Sequence, residues 1–125
     1  MNSRARNVLA ILTLCSVCSA AGPTLAQDAK AGAEVFKKCA TCHSTDGSKR
    51  TGPTLVGVVG RKAGSVPEFR YSRAMKSATV VWDDKSLDAY LAAPRKFIPG
   101  NVMAFSGLTK SEGRANLIAY LNTLK

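Results

Sequence analysis

Cys39-Ala40-Thr41-Cys42-His43 is the stretch on which the reading of this chain turns. Two thiols three positions apart, with an imidazole directly after the second, make the C-x-x-C-H pattern of covalent haem c attachment. Each thiol can add to one vinyl group of a haem. His43 adjoins Cys42 in the chain, so it reaches the iron from one side with little freedom left to lose. Three other readings use the same residues: a Cys39–Cys42 disulfide, a thioredoxin-like redox pair and a structural zinc site. A redox C-x-x-C normally follows a strand and opens a helix, whereas the residues before Cys39 have a helical pattern. A structural zinc normally takes four protein ligands. Beyond residue 26 the chain offers three, Cys39, Cys42 and its single histidine.

Upstream of the motif, the chain opens like an export leader. Arg4 and Arg6 supply a basic start, and Val8 to Ala21 an apolar run short for a membrane span. Thr24-Leu25-Ala26 offers a small-residue cleavage site, and Ala21 a weaker one. A retained membrane anchor is the competing reading. Cys15 and Cys18 fall within the run and are followed by Ser19 rather than His, so they go with the leader. Residues 1–26 are therefore expected to be a cleaved signal peptide, and 27–125 one small domain near the lower limit for a single core. A buried haem would enlarge that core, and two thioethers would use both remaining thiols.

The leader takes two of the 18 Lys and Arg, leaving sixteen against 8 Asp and Glu, a formal charge of +8. That balance favours acidic partners and steers their approach. Nucleic acid is the usual rival partner of a basic chain. Export and the lack of any nucleic-acid motif argue against it. Part of the excess can serve solubility alone.

Downstream, helices and loops alternate. Asp28 to Lys38 reads as a helix with Asp28 as N-cap, Val35 and Phe36 as apolar bulk, and Gly32 inside it at about 1 kcal/mol against Ala. Ser44 to Val66 is rich in Gly, Ser, Thr and Pro and reads as loop. Such a length is acceptable in a small domain if a large cofactor gives it something to pack on. Tyr71 to Met75 suggests a short helical turn. Asp84 to Ala92 reads as a helix with Leu87, Tyr90 and Leu91 on one face and Pro94 stopping it. Arg95 to Leu108 reads as irregular. A last helix is expected from Thr109, where Thr109-Lys110-Ser111-Glu112 matches a capping box, with Leu117, Tyr120, Leu121 and Leu124 inward. No strand pattern and no internal repeat is evident.

With one histidine, ligation by two histidines of the same chain is impossible, leaving a methionine or an open position on the far side of the iron. Beyond the leader stand Met75 and Met103. Met103 lies in an irregular stretch, Pro99-Gly100-Asn101-Val102-Met103-Ala104-Phe105, able to fold back over a haem face. Met75 sits among Arg73, Ala74 and Lys76, with less apolar company. Met103 is the preferred ligand, with core filling the competing role for either.

From Asp28 to Lys125 the chain resembles a class I cytochrome c, of the short soluble type shared by mitochondria and alpha-proteobacterial cytochrome c2. The resemblance is carried by Cys39-Ala40-Thr41-Cys42-His43, Gly52-Pro53-Thr54-Leu55, Gly60-Arg61-Lys62-Ala63-Gly64, Trp82, Tyr90-Leu91, Pro94-Arg95-Lys96-Phe97-Ile98-Pro99-Gly100 and Met103, in family order and spacing. It implies the all-α cytochrome c fold, three main helices plus short turns and long loops wrapped around one covalently bound haem. Attachment would be completed outside the cytoplasm.

By position, the resemblance implies that the Pro53 carbonyl accepts from the His43 ring. Trp82 and Tyr71 would reach the haem propionates with Arg61 near them, and Tyr90 would lie beside the Met103 sulfur. Gly32 would let the first helix cross the last against Tyr120. Two positions depart from the pattern. Asn101 and Val102 stand where many relatives carry Thr and Lys, and Asn101 would donate toward a propionate. Met75 stands where relatives often place an Asn in a buried water network.

The implied function is that of a soluble periplasmic monohaem carrier of single electrons rather than an enzyme, monomeric, with His43 and Met103 on the iron. Its implied partners are the acidic faces of a bc1-type complex as donor and of a terminal oxidase or photosynthetic reaction centre as acceptor. Lys38, Arg50, Arg95, Lys96 and Lys110 would surround the exposed haem edge. No stable membrane insertion is expected after cleavage. A dedicated acceptor for a periplasmic dehydrogenase and a haem peroxidase-like enzyme are the alternatives.

Overall fold

The computed structural model describes residues 27–125. The leader expected over 1–26 lies outside the described residues. Five helices follow in chain order: α1 (Ala29–Phe36), α2 (Arg73–Ser77), α3 (Asp84–Ala92), α4 (Pro94–Phe97) and α5 (Ser111–Leu121). Among the described residues there is no strand beyond one isolated antiparallel bridge, Lys62 to Val81, so the architecture is the expected all-α one. No described helix is long and apolar enough to cross a membrane.

α1 starts where Asp28 accepts hydrogen bonds from the Lys30 and Ala31 N–H groups, which a first turn otherwise leaves unpaired. It packs across α5 at Gly32. A Cβ built there would stand 2.7 Å from the Asn116 carbonyl carbon and 2.8 Å from Tyr120 Cβ. Only a hydrogen fits, and this close approach accounts for the glycine. One turn on, the Phe36 and Tyr120 rings meet at 5.3 Å.

α5 buries Leu117, Ile118 and Leu121, while Tyr120 and Leu124 are half-buried. Ile118 extends the expected stripe because this helix packs against both α1 and α3. Arg114 ties α5 to α3 through Asp88 at 2.7 Å and also holds the Leu108 and Thr109 carbonyls at 2.8 and 3.0 Å. The capping box expected at Thr109 does not form. The helix begins at Ser111, with Lys110 as its N-cap and no side-chain cap; the Lys110 carbonyl accepts from the Arg114 N–H at 3.2 Å.

α3 begins on a capping box of its own between Asp83 and Ser86. Pro94 ends α3 and opens α4, since a proline has no N–H to lose in a first turn; a stretch expected to be irregular therefore begins with a helical turn. α2 lies two residues later than expected because Ser72 caps it, accepting from the Met75 N–H. Met75 is buried in the core.

Candidate functional site

Three local devices build the site. The first carries the motif. Beyond α1 the backbone stays helical: Cys39 and Ala40 both donate to the Phe36 carbonyl, and His43 donates to Cys39 at 2.9 Å. Residues at i, i+3 and i+4 of such a turn share one face, so Cys39, Cys42 and His43 line up on one side. Both thiols are free. Burial pushes the Cys39 thiol up, against a weaker opposing pull from Lys38. The turn lies at the C-terminal end of a helix, where the dipole also disfavours a thiolate. A redox C-x-x-C needs the opposite surroundings. Among the described residues no three His, Cys, Asp or Glu side chains gather as an ion site.

The second device is the loop that fixes His43. The carbonyls on either side of the histidine are both taken from this loop: Gly52 N–H donates to Cys42 at 2.7 Å and Leu55 N–H to Ser44 at 2.9 Å. Ser44 is buried, and its hydroxyl donates to the Ser48 carbonyl at 2.7 Å. With the loop anchored on both flanks, the Pro53 carbonyl stands 2.7 Å from His43 Nδ1. A carbonyl only accepts, so Nδ1 carries a proton, which in the neutral imidazole leaves the lone pair on Nε2. Gly52 lies flat against the ring, where a Cβ would come within 2.7 Å of Cε1. Sequence reasoning missed Ser44 and the contact at Gly52. A lone serine carries no signal, but the glycine next to Pro53 was a legible one.

The third device carries Met103. Ile98-Pro99-Gly100-Asn101 closes with Asn101 N–H on the Ile98 carbonyl at 3.0 Å, and Gly100 has φ +89°. Proline followed by a left-handed glycine is the pattern of a type II turn. It directs Asn101 inward, where it is buried, and leaves Val102 74% exposed. Asn101 Oδ1 accepts from the Met103 N–H at 3.1 Å, and its Nδ2 donates to the Tyr90 hydroxyl at 3.0 Å. That hydroxyl donates to the Met103 sulfur at 3.6 Å. Burial pushes Tyr90 up to about 12, with the Asn101 hydrogen bond acting the other way. The structure thus gathers Tyr90, Asn101 and Met103, with one amide hydrogen of Asn101 directed at Tyr90.

Trp82 packs on Tyr90 with ring centroids 4.9 Å apart, and Phe97 adjoins both at 6.4 and 6.1 Å. The pairing of residues 60–63 with 80–82 holds Trp82 inward, its N–H on the Arg61 carbonyl at 2.9 Å. Arg61 directs its guanidinium to the Val56 and Thr54 carbonyls at 2.7 and 2.8 Å, stiffening the His43 loop. Tyr71 lies beside it and accepts from the Val66 N–H at 3.3 Å, leaving its own hydroxyl proton to donate.

Arg61 is a part-buried cation with no carboxylate partner among the described residues, a setting that suits an acidic group. Together with two free thiols, an unprotonated imidazole nitrogen and a held thioether, it fits a haem. The partly buried apolar groups around the core, among them Leu55, Val59, Phe97, Met103 and Leu108, suit its porphyrin.

Lys38, Arg50, Arg95, Lys96 and Lys110 are all exposed, and none is in an ion pair among the described residues. Arg50 lies against the motif turn, donating to the Ala40 carbonyl at 2.9 Å. Arg95 and Lys96 flank a cleft of about 520 Å³ between α4 and Ala104–Ser106, just beyond Met103.

The family model described as cytochrome c matches residues 29–125. Among curated relatives, a c-type cytochrome cy of Rhodobacter capsulatus is 49% identical, aligned over 81% of this chain and 51% of its own. This chain thus spans about half the length of that relative. A cytochrome c of Euglena viridis is 45% identical over 78% of this chain and 98% of its own. Among solved structures, cytochrome cH from Methylobacterium extorquens superposes with a TM-score of 0.74 at 40% identity, covering 77% of this chain and 98% of that one.

Proposed function

Because this chain belongs to the cytochrome c family, with one covalently attached haem c and a role as an electron carrier, we propose that His43 and Met103 are the iron ligands of a periplasmic shuttle. Residues 1–26 direct its export and are removed. Cys39 and Cys42 form the two thioethers.

The observation that carries this reading is that both ligands are held by a second partner while their donor atoms stay available. The Pro53 carbonyl accepts a hydrogen bond from His43 Nδ1–H at 2.7 Å and leaves Nε2. Tyr90 uses one lone pair of the Met103 sulfur at 3.6 Å and leaves the other.

When bound, the haem supplies one-electron Fe(III)/Fe(II) chemistry. The chain's part is to keep two strong-field donors fixed, to exclude a third ligand, and to favour the reduced state through a soft thioether and a buried surround. Arg61 and the Tyr71 hydroxyl stand ready for the propionates. Arg95 and Lys96 near the Met103 loop, with Lys38 and Arg50 by the motif turn, give a partner's carboxylates a brief, salt-sensitive contact. A bc1-type complex as donor and an oxidase or reaction centre as acceptor suit such a face.

Two measurements test this. The oxidised, exported protein should show the far-red band of thioether-bound ferric haem, and Met103→Ala should abolish it. A band that is absent from the native protein, or that survives the substitution, overturns the ligation. Lys96→Glu should slow reduction by a bc1-type donor at low salt and much less at high salt; an unchanged rate removes Lys96 from the docking face.

A further inference from the structure

Resting on the ligation just proposed, we infer that Asn101 is a positioning residue: its carboxamide aims the Tyr90 hydroxyl proton at the Met103 sulfur and so sets how strongly that sulfur donates to the iron. A carboxamide has one accepting end and one donating end. The Met103 N–H, 3.1 Å away, can only donate, so it claims Oδ1. Nδ2 is thereby turned to the Tyr90 oxygen at 3.0 Å. With that oxygen already accepting, the phenol proton points outward, and the sulfur at 3.6 Å receives it. A flipped amide would set Nδ2 against an N–H and leave the turn without its acceptor. Direction therefore runs one way along Asn101, Tyr90 and Met103.

The site is closed enough for this to matter. Asn101 is 8% exposed and Tyr90 7%, and in such surroundings a hydrogen bond accepted by a hydroxyl strengthens the one it donates. Among the described residues Asn101 supplies the one side-chain donor recorded on the Tyr90 oxygen. Met75, buried in the same core, has no hydrogen to give. A hydrogen bond accepted on the second lone pair of the sulfur would draw density from the pair that the sulfur would offer to iron. This weakens the bond to Fe(III) more than to Fe(II) and raises the potential. Without Asn101 the phenol turns more freely, and the potential falls.

The test is a double-mutant cycle on the holoprotein. In Asn101→Ser the hydroxyl can still accept from the Met103 N–H but is too short to reach Tyr90. We expect a lowered reduction potential and a shifted far-red band. Made in a Tyr90→Phe background, the same change should add nothing to either. Equal shifts in both backgrounds would mean that Asn101 works through loop shape, and no shift from Asn101→Ser in the protein that keeps its native Tyr90 would mean that it does not work at all; each overturns the inference and leaves the ligation standing. A native protein lacking the band sinks the ligation first and this inference with it. If Asn101→Ser does not fold, Asn101→Thr serves in the same cycle.

Discussion

The crossing of α1 and α5 makes a prediction in which one substitution has opposite signs at two helical glycines. At Gly32 a new Cβ lies 2.7 Å from the Asn116 carbonyl carbon, with the oxygen closer still. Carbon atoms in contact settle at about 3.5–4.0 Å, so the helices must part by roughly 1 Å. Backbone cannot rotate away as a side chain would, and overpacking of this kind costs about 1–3 kcal/mol. Parting also loosens the Phe36–Tyr120 pair, worth about 1 kcal/mol, and strains the Asp28 N–H bond to Asn116 Oδ1 at 3.0 Å. Better helix propensity returns about 1 kcal/mol. The net for Gly32→Ala is a loss of about 2 kcal/mol, a large share of the roughly 5–15 kcal/mol of an ordinary domain. At Gly113, in the first turn of α5, a Cβ meets nothing within 4 Å, so Gly113→Ala should gain about 0.5–1 kcal/mol. Urea unfolding of the holoprotein reads both as midpoint changes at constant slope. With a slope of about 1–2 kcal/mol per molar, Gly32→Ala should fall by roughly 1–2 M while Gly113→Ala rises. Midpoints moving in the same direction would refute the claim that contact across α5, rather than helix propensity, decides residue 32.

Three further predictions concern the site and its supports. Gly52→Ala would press a methyl onto the His43 ring and disturb its bond to Pro53. His43 should hold iron roughly 10–100-fold less firmly, seen as a high-spin signal and faster displacement by added imidazole. Arg114→Ala should cost about 2 kcal/mol, because its mostly buried guanidinium serves Asp88 and two carbonyls. Asp88→Asn should cost under about 1 kcal/mol, since Asp88 is half exposed. Tyr90 is held neutral by the fold, its pKa raised from 10.0 to about 12. The stability this confers is whole below pH 10 and is lost as pH rises through the folded value near 12; denaturation midpoints over that range should drop more steeply for the native protein than for Tyr90→Phe.

Much of the helical frame was legible because its signals are local. Asp28 caps α1 with its own side chain, and α3 runs from Asp84 to Ala92 as expected. The misreadings share a cause: in each, the deciding partner lies elsewhere in the chain. Thr109 has the residues of a capping box, but the helix takes Lys110 as its N-cap, one residue later, where the Lys110 carbonyl meets the Arg114 N–H. Met75 has polar chain neighbours, yet its packing partners come from other segments, and the Met75 carbonyl is where a side chain at Gly64 would collide, at 2.6 Å. Pro94 stops α3 and also opens α4, because a proline suits a first turn as well as it ends a last one.

At the site, residue identity and residue direction separate. Cys39, Cys42, His43 and Met103 announce themselves by chemistry and spacing. Asn101 does not, because either end of its amide could face Tyr90, and only the Met103 N–H at 3.1 Å decides which one does. Each proposed ligand is oriented by short closures: Cys42 to Gly52 and Ser44 to Leu55 around His43, Ile98 to Asn101 ahead of Met103. These closures span a dozen residues at most and form with little loop entropy. What holds the His43 and Met103 loops relative to each other is longer in reach. The motif turn extends from α1, the Met103 loop is pinned to the end of α3 by Leu108 N–H on the Leu91 carbonyl at 2.7 Å, and α5 joins α1 to α3. Loss of packing at Gly32 should therefore move one ligand away from the other while leaving the orientation of each intact, whereas changes at Gly52 or Asn101 should disturb one ligand's orientation and leave the frame in place.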